Sequence, residues 1–102
     1  MINITKKGNR VKIEGHTEPT LCAAVSSIMY TCYNILTEYD PRGVELKDSL
    51  EIGKDYDNVE IILRRNDPNT IKVWNVMCLE FEKLSKDNPE NVTYNVIEKD
   101  TN

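Results

Sequence analysis

Near the N-terminus, Ile2 and Ile4, then Val11 and Ile13, alternate with polar residues on either side of Lys7-Gly8-Asn9-Arg10. Period-two alternation folded about a Gly-Asn pair commits this stretch to a tight β-hairpin, with strands over 2–7 and 10–15. Its second face carries Asn3, Thr5, Lys12 and Glu14 and is expected to be wet.

After Gly15-His16 the period changes. Thr17-Glu18-Pro19-Thr20 supplies a breaker and capping-type residues, and Leu21, Val25, Ile28, Cys32, Ile35/Leu36 and Tyr39 then recur at three- and four-residue steps. A helix of about five turns is predicted, stopped near Tyr39-Asp40-Pro41 because proline cannot continue it. Val44, Leu46, Leu50 and Ile52 resume alternation, Gly53 to Asn58 reads as a turn, and Val59, Ile61 and Leu63 form a second hairpin arm. Asn66-Asp67-Pro68 opens another helix with an N-cap and a first-turn proline. Ile71, Trp74, Met77/Cys78, Phe81 and Leu84 carry its apolar stripe to about Lys86. A turn at Asn88-Pro89-Glu90-Asn91 precedes a last strand whose inward set is either Val92, Tyr94 and Val96 or Thr93, Asn95 and Ile97. The order β-β-α-β-β-α-β predicts an α+β domain spanning 1–102, with one mixed or antiparallel sheet and both helices on its apolar face.

Composition narrows the function. Among 102 residues, thirteen basic against seventeen acidic side chains give a net charge of −4, a poor balance for a chain that draws its affinity from nucleic-acid phosphates. The basic group Lys6, Lys7, Arg10 and Lys12 has no interleaved aromatics and reads as a solvated hairpin tip. No window is long and apolar enough for a bilayer span, and the first residues alternate instead of forming a signal-peptide block, so a cytoplasmic location is expected. Cys22, Cys32 and Cys78, odd in number and widely spaced, describe reduced thiols.

One constellation has mechanistic content. His16 follows a strand, and Cys22 lies at the start of the first helix with five residues between them. A thiol there feels the partial positive charge of unsatisfied N–H groups, which favours thiolate, and an imidazole nearby can take its proton. The same N–H groups can hold an oxyanion. The bland alternatives are a small buried residue for Cys22 and a strand-end histidine bonded to a carbonyl for His16. Cys32 and Cys78 lie on or beside apolar stripes and read as core, as do Trp74 and Phe81. Tyr30, Tyr33 and Tyr39 fit either a groove or a contact surface. A zinc site from His16, Cys22 and a further cysteine lacks any paired ligand spacing, so neither metal nor cofactor is expected.

The run Ile13-Glu14-Gly15-His16, then Leu21-Cys22-Ala23-Ala24-Val25-Ser26-Ser27 with Asn34 further on, resembles the signature of the Prp family, the ribosomal-processing cysteine proteases of bacteria. The resemblance runs through the order of elements and covers essentially the whole chain. It implies an endopeptidase that removes a short, apolar N-terminal leader from a ribosomal protein or, in phage-associated relatives, a capsid or scaffold protein. It also implies a homodimer. Cys22 matches the nucleophile, His16 the general base, and Ser26 a serine that orients the thiol or the substrate. Two departures stand out. The segment Thr17-Glu18-Pro19-Thr20-Leu21 is shorter and stiffer than the family's glycine-bearing loop, and the family's aspartate before the cysteine is missing, leaving Thr20 to cap the helix. A leader-binding module that does not cut is the alternative, and the shortened loop is the feature that favours it.

Overall fold

The computed structural model describes residues 1–48 and 58–97. Its elements are β1 (Ile2–Lys7), β2 (Arg10–Gly15), α1 (Pro19–Tyr39), β3 (Val44–Asp48), β4 (Asn58–Leu63), α2 (Pro68–Asp87) and β5 (Val92–Ile97), an α+β fold in the expected order. Leu50, Ile52 and residues 53–57 of the predicted turn lie outside the described residues, and Asn58, read as the end of that turn, is instead the first residue of β4. The first hairpin pairs Lys7 with Arg10 around Gly8, whose φ of 58° suits the first central position of a two-residue turn.

The five strands run in the order β3-β4-β2-β1-β5. Every neighbouring pair is antiparallel except β1 and β5, which are parallel, so the sheet is mixed. Strand direction explains why both helices share one face. β2 and β4 run in opposite directions, and the crossovers that leave them travel toward opposite edges, β2 through α1 to β3 and β4 through α2 to β5. Reversing both direction and travel keeps a right-handed connection on the same side of the sheet.

That side holds one core. Ile2, Ile4, Val11, Ile13, Val59, Ile61 and Leu63 from the sheet meet Leu21, Val25, Met29, Cys32 and Leu36 of α1 and Trp74, Met77, Cys78 and Phe81 of α2. On β5 the even set turns inward at the start: Val92 is buried and Tyr94 packs against the core, while Val96 and Ile97 are exposed. The opposite face keeps Asn3 and Glu14 in solvent, although Ile62 is buried there between Arg10 and Glu45 in register. α2 begins as its sequence predicts: Asp67 caps it by accepting from Thr70 N–H at 3.2 Å and Thr70 Oγ1 at 2.7 Å, and Pro68 follows. These two bonds from Thr70 hold the Asp67 carboxyl below its ordinary range.

Phe81 is fully buried where α2 meets the sheet. Phe81→Ala is expected to cost about 3–5 kcal/mol of unfolding free energy, read as a lowered urea midpoint at unchanged slope.

Candidate functional site

The start of β1, the end of β2 and the start of β5 lie level at one end of the sheet, since Ile2 pairs with both Gly15 and Val92. Gly15 has a φ of 85°, and a Cβ there would run into the Met1 carbonyl oxygen. Only glycine meets both demands. His16 then leaves the sheet, its carbonyl accepting from the Met1 nitrogen at 2.8 Å.

The next residue reaches two ways. The Thr17 hydroxyl donates to Asn91 Oδ1 at 3.1 Å, in the turn before β5. The Thr17 backbone N–H donates to Cys22 Sγ at 3.3 Å, and the thiol donates to the Thr17 carbonyl at 3.4 Å. Asn91 is itself held by the sheet and the turn: its carbonyl accepts from Ile2 N–H at 2.9 Å, and its own N–H donates to the Asn88 carbonyl at 3.0 Å. Residues 74 positions apart therefore brace one sulfur.

The helix starts earlier than the sequence suggests. Glu18 occupies the N-cap position without a side-chain cap bond, Pro19 is the first helical residue, and Thr20 lies inside the helix instead of capping it. Proline wins because its fixed φ is already helical and its missing N–H is no loss there. Cys22 thus stands at the fourth helical position, where side chains lean back toward the N-terminus, and this carries its sulfur onto Thr17. The shift also changes the supply of first-turn donors. Pro19 has none, and the N–H groups of Leu21 and Cys22 both donate to the Glu18 carbonyl at 3.1 Å. Among the described residues, Thr20 is the first-turn N–H without a backbone acceptor.

Cys22 is half-buried and His16 is exposed. Among the described residues no hydrogen bond joins the imidazole to the sulfur, whose two partners both belong to Thr17. Thr17 N is bonded to the carbonyl carbon of His16, so standard bond lengths put His16 Cα within about 6 Å of the sulfur. Ser26 follows one turn on along the same side of α1, exposed and without a bond to the thiol.

Cys32 and Cys78 are core residues. Burial, and secondarily the neighbouring Cys78, push the Cys32 thiol from 9.0 to about 12, and burial raises Cys78 as well. Among the described residues, no three His, Cys, Asp or Glu side chains converge as metal ligands, and no helix is long and apolar enough to cross a membrane. An apolar groove of about 220 Å³ opens between α1 and α2, lined in part by Ile28, Thr31, Ile35 and Val76. Thr31 lies nine residues beyond Cys22, about two and a half turns, and so faces the opposite way. This groove is not an extension of the thiol site.

No family model matches the chain, and no curated protein sequence does. Solved structures do. SMU.848 from Streptococcus mutans superposes with a TM-score of 0.77 at 20% identity, covering 96% of this chain and 93% of its own. The essential ribosomal processing protease Prp from S. aureus, in complex with a covalently linked product peptide, gives 0.71 at 16% identity over 95% of this chain and 100% of its own. The same protease with a substrate peptide gives 0.68 at 15%. The chain has the Prp fold. Of the residues singled out in the sequence, Cys22 is bonded to Thr17, while His16 and Ser26 make no bond to it among the described residues; Thr17 and Asn91 are joined by the fold, and nothing local to either announces the other.

Native protein treated with iodoacetamide is expected to be modified at Cys22 and spared at Cys32 and Cys78, as read by peptide mass spectrometry. A thiol whose acidity is weakened by folding stabilises the fold fully below its unfolded value and loses that contribution as it ionises. Stability should therefore fall as pH rises from 9 toward 12, and Cys32→Ala should flatten the decline in urea titrations.

Proposed function

We propose that this chain is a cysteine endopeptidase that removes a short apolar N-terminal leader from a ribosomal protein or a phage capsid or scaffold protein. The observation that carries the reading is a half-buried thiol near the start of a helix, folded against the residue that follows His16, within the Prp fold. Cys22 is the nucleophile and His16 the general base. Ser26, on the same side of α1, orients the thiol or the substrate.

The exposed imidazole swings toward the sulfur and takes its proton, and the thiolate attacks the scissile carbonyl to form a tetrahedral oxyanion. Thr20 N–H is the donor left for that oxyanion among the first-turn amides. Collapse expels the leaving amine, which takes the proton from the imidazolium, and water then releases the acyl group from Cys22. The reading also includes a homodimer in the cytoplasm, acting without a cofactor.

Cys22→Ala is expected to abolish cleavage of a leader-bearing substrate with the fold intact, and His16→Ala to slow it by roughly 10²–10⁴-fold. Cleavage is followed by mass spectrometry, and parent-like turnover by Cys22→Ala would falsify the mechanism. A second reading, a leader-binding module that does not cut, is favoured by the missing bond between His16 and Cys22. It predicts that the substrate binds and its mass stays unchanged.

A further inference from the structure

We infer that Thr17 and Asn91 form a positioning pair that sets the reactivity of the Cys22 sulfur, an assignment that rests on Cys22 being the nucleophile. The sulfur is held by a chain of bonds that runs outward to the sheet. Its donor is the Thr17 backbone N–H at 3.3 Å. An amide can serve that purpose only if its residue is prevented from turning, and Thr17 sits in a three-residue connection between β2 and α1. The restraint comes from the Thr17 hydroxyl, which donates to Asn91 Oδ1 at 3.1 Å. Asn91 is fixed in turn by Ile2 and Asn88 through its backbone, so the chain of contacts ends in the sheet.

The chemistry gives the direction of the effect. As a thiol, Cys22 also donates to the Thr17 carbonyl at 3.4 Å, but that bond ends when the proton leaves, whereas the Thr17 N–H stays a donor to the ionised sulfur that does the attacking. Loosening Thr17 should therefore slow attack by Cys22 on a small electrophile. Neither residue touches the reacting atoms through its side chain, and both act through the Thr17 amide.

The test is the rate of Cys22 alkylation by iodoacetamide near neutral pH, resolved by peptide mass spectrometry, with the thermal unfolding midpoint measured alongside. Thr17→Val keeps the side-chain shape and removes the hydroxyl donor. It is expected to react roughly five- to tenfold more slowly, the worth of one hydrogen bond, whereas Thr17→Ser restores the parent rate. Parent-like or faster alkylation of a folded Thr17→Val protein overturns the assignment, as does an equal slowdown in Thr17→Ser. Should Thr17→Val fail to fold, Asn91→Ala removes the acceptor from the other side and is judged by the same rates. The outcome is separable from the peptidase reading: a leader left uncut by a protein that shows these rates ends that reading and leaves the pair standing.

Discussion

The way the chain leaves β2 governs the rest of the thiol end. Gly15 adopts a left-handed conformation directly beneath the Met1 carbonyl, where a side chain would have neither the backbone energy nor the room. This turn takes His16 out of the sheet and points Thr17 toward Asn91 on one side and Cys22 on the other. Two residues later Pro19 fixes its own φ and starts α1. A fixed exit and a fixed entry with three residues between them leave the thiol little freedom to choose its neighbours.

Three cysteines in one small protein acquire different chemistry from position alone. A helical side chain covers the turn before it. For Cys32 and Cys78 that turn lies inside the packed layer between helices and sheet, where the ionised form has lost its water, and Cys32 faces the Val73 carbonyl of α2 at 4.0 Å. For Cys22 the preceding turn is the last one, and beyond it lies the backbone of the connecting loop. The sulfur consequently meets the Thr17 amide and carbonyl while its side chain rests on the edge of the core, at partial exposure.

The contrast between what the sequence disclosed and what it hid follows the range of the forces involved. The first hairpin and the Asp67-Pro68 start of α2 are set by neighbours a few residues apart, so their residues spell them out. The strand order was open, because the parallel placement of β5 beside β1 depends on contacts spanning the whole chain. The start of α1 was misplaced: Thr20 resembles a cap, but the proline before it already satisfies the first helical position. The site was half legible. Cys22 and His16 carry recognisable chemistry, whereas Thr17 and Asn91 are ordinary loop residues until the fold brings them together.

The pattern of bonds around the sulfur also bears on whether this end of the molecule suits chemistry or mere binding. As a thiol, Cys22 both donates to the Thr17 carbonyl and accepts from the Thr17 amide. Removing its proton ends the first contact and keeps the second. The ionised sulfur would thus retain a donor from the Thr17 backbone, with the His16 side chain exposed nearby in sequence. Under the peptidase reading, a sulfur held by a backbone amide beside an exposed imidazole is an arrangement that proton transfer can use.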